Sequence, residues 1–433
     1  MTLRVVKSLC RHQCRGSMLI IVGLVLILVL LQFFHVVLLS RLEFQEAEAA
    51  QRQEEDLIKH DLKKYDRISK ILLEKISHTH ILDSSGSYTI IENLSVPNSD
   101  ITDFHEYGEE INVAFATHTT SNNLHHLIQL SKIWDGPISV SVFTYDDDIV
   151  STLHFVAFLK ACHPSVHKVT TFHLIFPLRH PPRNARDILN MDIDCKMRPE
   201  SLITKHRDNY DFDGLEYPHN LLRNVAKKYS KTSFVLICDI DILPSPNLHG
   251  DFISFINRWQ AVKSEGFTEP IVFVIPAFET KNISEILSTK SDLIRSWGFG
   301  SVRPFYWDVC WKCQKFTDYE GWKHLPEIPL LDIGYYIDWQ DPWEPYYIAD
   351  KNVPDYDERF KQYGFNRISQ VCEVHIAGYH FAVLNNAFLI HKGFKIPGKF
   401  HSAKEEELDR NRNLFRKFKD EMREKYPSTN RQC

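Results

Sequence analysis

Apolar residues fall into three regimes along the chain. The first is an unbroken run, residues 18–39 (MLIIVGLVLILVLLQFFHVVLL), with no formal charge; its length matches the roughly 20 residues a helix needs to cross a bilayer. The second regime, residues 41–80, is charged and helix-favouring. There Ile58, Leu62, Tyr65, Leu72 and Ile76 recur at helical spacing, interrupted at Ser69. This predicts an amphipathic stem helix with a short heptad-like stretch, a possible route to a homodimer. Residues 81–110 are polar and turn-rich and read as a linker. In the third regime, from residue 111, apolar runs of strand length alternate with helical segments. Strands are expected at 111–117, 138–145 and 169–175, and helices at 123–134 and 155–162. After an irregular stretch, 176–216, a helix is expected at 220–229, with Leu221, Leu222, Val225 and Tyr229 on one face, followed by a strand from Phe234. Such alternation argues for an α/β fold with a parallel sheet. The later part reads as aromatic and strand-rich, at 270–278, 339–349 and 367–395.

Charge around the first run orients the chain. Arg4, Lys7, Arg11 and Arg15 precede it, and Glu43, Glu46 and Glu48 follow. Positive charge on the N-terminal side keeps that end in the cytoplasm. The expected organisation is a cytoplasmic tail (1–17), a signal-anchor (18–39), a lumenal stem and linker (40–110) and a catalytic domain (111–433). Asn93 and Asn282 open sequons for N-glycosylation, as befits a secretory compartment. Seven of the nine cysteines lie beyond the anchor, where disulfides persist. Cys238, inside an apolar run, is the expected leftover thiol; the other six allow three bridges whose pairing the sequence does not give. A net charge of −5 without a basic block gives no sign of nucleic-acid binding.

Candidate chemistry centres on residues 234–244, FVLICDIDILP. A D-x-D pattern occurs five times, at Asp146/Asp148, Asp192/Asp194, Asp211/Asp213, Asp239/Asp241 and Asp355/Asp357. Only Asp239/Asp241 follows an unbroken apolar strand, and strand ends are where open α/β sheets bind ligands. Alternation along a strand would turn both carboxylates the same way, which suits Mn²⁺, or alternatively Mg²⁺, holding a diphosphate. His391 ends another apolar run, Ala387–Ile390, and is the expected third ligand. Thr117 and His118 at the end of the first strand, and Asn220 and Arg223 on the helix before Asp239, are placed to meet a nucleotide.

The blocks YPHNLLRN (217–224), DIDILPS (239–245), WQDPWEPYYIA (339–349), DERFKQYGFNRISQVCE (357–373) and HKGFK (391–395) together resemble glycosyltransferase family 49. That family holds β-1,4-glucuronyltransferases and the glucuronyltransferase domain of the LARGE enzymes. The resemblance spans roughly residues 111–433. It implies a GT-A fold with a mixed sheet flanked by helices, UDP-glucuronate as donor, Mn²⁺ as cofactor and a type II Golgi membrane protein. It also maps the family's D-x-D onto Asp239 and Asp241 and its histidine onto His391. The implied partner is a glycan acceptor, a xylose on a protein-linked O-mannosyl-type glycan, with homodimerisation or association with another transferase as further expectations. Inverting transfer needs a carboxylate to take the acceptor proton. Asp341 and Glu344 are the candidates, Asp341 slightly ahead, with Trp339 and Trp343 as a platform for a pyranose face. The glucuronate carboxylate needs a cation, and Arg303, Arg367, Lys392 and Lys395 are available. Competing readings are a same-fold transferase using UDP-N-acetylglucosamine or UDP-xylose, and an inactive scaffold for another transferase.

Overall fold

The computed structural model describes residues 2–78, 80–97, 111–203, 215–262, 269–281, 287–397 and 403–433, with side chains described from residue 22 onward. The sequon residue Asn282 and the pair Asp211/Asp213 lie outside the described residues. The chain divides into two compact units, 1–63 and 64–433. Helical backbone covers Thr2–His78. In the first unit the apolar side chains from Leu24 to Leu39, Val37 excepted, are exposed, and the helix is long and apolar enough to cross a membrane, which fits a single-pass anchor.

The second unit is a mixed α/β body. Among the described residues its strands are β1 (Ile81–Leu82), β2 (Tyr88–Ser95), β3 (Val113–Thr120), β4 (Ile138–Phe143), β5 (Thr170–Pro177), β6 (Phe234–Ile237), β7 (Ile242–Pro244), β8 (Ile271–Ile275), β9 (Ala277–Thr280), β10 (Val302–Pro304), β11 (Asp332–Ile337), β12 (Tyr346–Asp350), β13 (His380–Asn385) and β14 (Leu389–Lys392). Ten form the main sheet in the order β1-β2-β5-β4-β3-β6-β12-β8-β13-β11, and a smaller sheet runs β10-β9-β14-β7. Strands β5, β4, β3 and β6 are parallel neighbours, as the alternating pattern predicts; β12 reverses direction between β6 and β8. Helices His126–Trp134, Asp148–Cys162 and His219–Tyr229 lie between these strands in the chain. The buried residues of the first two join one apolar core with the sheet, and those of the third join a separate one. This is the α/β architecture expected of a GT-A transferase.

Three expectations need correcting. The globular body starts at residue 64, not near 111. Tyr65, Ile68, Ser69 and Leu72 are buried, Tyr65 Oη lies 2.6 Å from His154 Nδ1, and Lys64 donates to the Ala161 carbonyl at 3.1 Å. Part of the helix's apolar stripe thus serves its own domain, and Ser69 continues the buried face that it seemed to interrupt. The expected linker, in turn, supplies β1 and β2, and β2 covers the free edge of β5. The third correction is Asn366–Ile376, a helix inside a segment read as strand-rich; its apolar residues sit at helical spacing, hidden beside β13 and β14.

Cysteines pair as Cys162–Cys195, Cys310–Cys313 and Cys372–Cys433. Cys238 is free and buried, as anticipated. Asn93 is half-buried at the β2 irregularity, with φ of 50°.

Candidate active site

Strand β6 ends at Ile237, so Asp239 and Asp241 occupy the turn between β6 and β7 rather than alternate positions of one strand. The turn sends them to different partners. Asp239 Oδ2 accepts a hydrogen bond from Tyr346 Oη at 2.8 Å, and its Oδ1 lies 3.4 Å from Arg223 Nη2. Arg223 projects from the helix that packs across β3 and β4. It is buried, bonds Asn220 Oδ1 at 3.1 Å and rests over the Tyr356 ring. Asn220 is buried too, its amide donating to the carbonyls of Asp357 and Asn366. These two residues build a socket for Asp239. Burial alone would raise the Asp239 carboxyl, but Arg223, Arg367 and His118 hold it far below the usual carboxylate range.

Asp241 meets the second sheet. Strand β14 pairs antiparallel with β7 so that His391 stands opposite Ile242, one residue beyond Asp241. His391 Nε2 then lies 3.0 Å from Asp241 Oδ2, and Lys395 Nζ lies 3.4 Å from the same oxygen. Burial pushes Asp241 up, yet the His391 contact and the Lys395 charge keep it down at about 2. Glu279, fully buried on β9, fixes this corner. It accepts from Arg303 Nε at 2.8 Å and from the Lys395 backbone N–H at 2.6 Å.

The His391 ring carries the main clue to a cation. Its Nδ1 lies 2.6 Å from the Gly393 carbonyl, which only accepts, so Nδ1 holds a proton there. Nε2 therefore faces Asp241 Oδ2 either as the N–H of an imidazolium donating to the carboxylate or, once that proton is displaced, as a lone pair beside it. In the second form a cation fits between the two, and a backbone carbonyl on the far nitrogen is the usual support of a metal-ligating histidine. The 3.0 Å separation is also that of neighbouring corners of an octahedron with bonds of about 2.1 Å. Asp241 and His391 therefore fit a divalent metal. Asp239 turns instead to Arg223 and Tyr346, and among the described residues no group of three His, Cys, Asp or Glu forms a ready cage.

The remaining candidates divide sharply. Thr117 Oγ1 and His118 Nε2 are buried without hydrogen-bond partners among the described residues. His118 Nδ1 lies 2.9 Å from Tyr217 Oη, and Nε2 is 3.8 Å from Asp239 Oδ1, beyond hydrogen-bond reach. Burial, reinforced by Arg223, drops the His118 imidazole to about 3, so it is a neutral group beside Asp239. Asp341 is exposed, with no hydrogen bond or ion pair among the described residues. Glu344 is the reverse. Its backbone is held by a bond from its N–H to Cys313 O at 3.0 Å and by bonds into its carbonyl from Arg367 and Gln314. Its carboxyl accepts no hydrogen bond among the described residues. Burial raises that carboxyl's pKa against the opposing charges of Arg367 and Arg223. The slight sequence preference for Asp341 is reversed by this geometry.

Trp339 and Trp343 form no platform. Both are buried, Trp339 Nε1 donating to the Trp343 carbonyl and Trp343 Nε1 to Thr317 Oγ1. Among the cations, Arg303 is committed to Glu279 and Asp308, and Arg367 lies over Tyr346. Lys392 bonds Gln129, and Lys395 points at Asp241. Sequence reading missed Tyr346 and Glu279. The second had a signal, an acid closing the apolar run PIVFVIPAFE; the first was masked by its aromatic neighbours.

Comparison with known proteins identifies a glycosyltransferase. The chain belongs to glycosyltransferase family 49, since the family profile described as "Glycosyl-transferase for dystroglycan" matches residues 112–427. Among curated proteins it is 40% identical over 367 residues to beta-1,4-glucuronyltransferase 1 of Danio rerio, covering 82% of this chain and 83% of that one. It is 36% identical over 380 residues to the Homo sapiens protein of the same name, covering 85% and 86%. The human xylosyl- and glucuronyltransferase LARGE1 matches at 24% over 73% of this chain and 36% of its own length. A solved structure, S. aureus TarS, aligns with a TM-score of 0.30 at 10% identity, over 66% of this chain and 37% of that one.

Proposed function

We propose that this protein transfers glucuronate from UDP-glucuronate, in β linkage and with inversion, onto an acceptor sugar, a xylose of a protein O-linked glycan of the dystroglycan type. The donor reading is supported by the names of the relatives that match four-fifths of the chain. The observation that carries the catalytic reading is the facing pair His391 Nε2 and Asp241 Oδ2, which a divalent cation would bridge. Asp241 and His391 would hold Mn²⁺, which supplies charge neutralisation for a departing diphosphate. Arg223, Asn220 and Tyr346 orient Asp239 beside the His118 imidazole, and these residues, with Thr117 on the same strand as His118, would meet the nucleotide. Lys395 brings positive charge to the same corner, where a phosphate or the glucuronate carboxylate accepts it. Glu344, pinned by its backbone and kept basic by a raised pKa, receives the acceptor hydroxyl's proton. The anchor and sequons fit a type II protein of the Golgi lumen.

The test is a donor panel with the full-length protein in detergent. UDP-glucuronate, UDP-N-acetylglucosamine and UDP-xylose are offered with Mn²⁺ and a xylose-terminated acceptor. Consumption of UDP-glucuronate alone supports the reading; turnover of another donor in its place refutes it. Mn²⁺ binding, read by electron paramagnetic resonance, should weaken tenfold or more in both Asp241→Asn and His391→Ala.

A further inference from the structure

The tryptophans expected to stack on a sugar are buried, but two others are not. Trp307 is 46% exposed and Trp311 half-buried, with their ring centroids 4.5 Å apart and tilted by 49°. They belong to a loop, residues 305–314, that is tied to the candidate site from both ends. At one end Phe305 stacks on Tyr306 at 4.2 Å and packs against His391 at 5.8 Å and Tyr346 at 6.0 Å. At the other end the Cys313 carbonyl accepts the Glu344 backbone N–H, and Gln314 donates to the Glu344 carbonyl. Only Tyr306 separates Trp307 from Phe305, a span of at most about 7 Å of chain.

The loop is also held in shape. Tyr306 takes a left-handed φ of 58°, which turns the short helix Trp307–Cys310 outward. The Cys310–Cys313 bridge closes that turn, and Arg303 clamps Asp308 at 2.6 Å while bonding Glu279. Trp307 stays about half exposed on this braced loop, and the exposed part of its ring offers an aromatic face to a ligand. Glycan chemistry fits that face, because a pyranose presents a patch of C–H groups on one side and hydroxyls around its rim.

We propose that Trp307, backed by Trp311, is the stacking platform of the acceptor pyranose, and that it sets the acceptor hydroxyl toward Glu344. This rests on the transferase reading above. It differs from the sequence expectation in which residues do the stacking. The flat ring recognises sugar shape without charge, leaving anionic recognition to the basic corner around Lys395.

The experiment measures acceptor binding without donor, so that it stays readable whichever sugar nucleotide is used. Full-length protein in detergent is mixed with methyl β-xylopyranoside, and contact is read by saturation-transfer NMR. Trp307→Ala should lower the apparent affinity about tenfold or more, and Trp307→Phe, which keeps an aromatic face, should recover most of the loss. In transfer assays the Ala variant should raise the acceptor KM by the same factor while kcat at saturating acceptor falls much less. Melting temperature certifies the fold, and if the Ala variant is unfolded, Phe against Leu at the same position decides. Unchanged affinity in the Ala or Leu variant, or a Phe variant as impaired as either, overturns the platform. A protein that binds the pyranoside normally but consumes no UDP-glucuronate refutes the donor assignment instead.

Discussion

Glu344→Gln and Asp341→Asn separate the two candidate bases. Both swaps keep the side chain's size and remove only its basicity. Glu344 has its backbone held at three points and its carboxyl near Arg367, Arg223 and Asp239; Asp341 is exposed. A positioned general base contributes about 10²–10⁴ in rate, or roughly 3–5 kcal/mol of barrier. Glu344→Gln should therefore lose that factor in kcat with the acceptor KM little changed, and Asp341→Asn should stay within about twofold. The pH profile gives a second reading. Burial raises the Glu344 pKa, so the carboxyl protonates, and kcat/KM falls, as pH drops through a value above the ordinary glutamate range. That acid limb should vanish from the residual activity of Glu344→Gln. The assay is initial-rate transfer at saturating UDP-glucuronate between pH 5 and 8. A hundredfold loss in Asp341→Asn, with Glu344→Gln near wild type, would refute the reasoning.

Other perturbations test the scaffold. Arg223→Met leaves Asp239 without its main cation; breaking a fully buried pair costs about 3–5 kcal/mol, and because Asp239 keeps 32% of its side chain exposed, a loss of about 2–3 kcal/mol is expected in denaturant melts. Cys372→Ser with Cys433→Ser opens a loop of 61 residues, which the chain-entropy relation converts to about 4 kcal/mol, read as a lower unfolding midpoint. Leu72→Ala, at a fully buried position, should destabilise the globular unit by about 3 kcal/mol even though it lies in the nominal stem. A chain starting at residue 111 would lack Leu72, Ile91 and Leu94 and leave the β5 edge bare; it should be insoluble or bind hydrophobic dyes, and a cooperative melt from it would contradict the domain boundary seen here.

Much of the site was visible in the sequence because its parts are local. The run FVLI distinguished Asp239 and Asp241 from four other D-x-D pairs, and the one helical face at 220–229 brought Arg223 close to them. The role of Arg223 was not visible: as a residue on a helix it is a solvated charge or a phosphate ligand, and only its burial shows that it props an acid. The tryptophans failed for the same reason. WQDPWEP offers two rings beside two acids, but alternation does not say which face of an irregular loop meets the core. Trp339 and Trp343 went inward, Trp307 outward. Glu344, half-buried, and Asp341, exposed, divide on that distinction as well.

The sequence alone determined whatever depends on neighbouring residues: the membrane-length helix, the α/β alternation from residue 113 on, the strand that leads to Asp239, and the family. The tertiary structure decided whatever depends on distant pairing. His391 reaches Asp241 across 150 positions because β14 pairs with β7 in one register, and a shift of one residue would turn the imidazole to the opposite face. Strand β2 and residues 64–78 entered the domain because β5 had an edge, and the core an apolar surface, to cover. Periodicity says that a side chain has a face; only the assembled sheets say what that face meets.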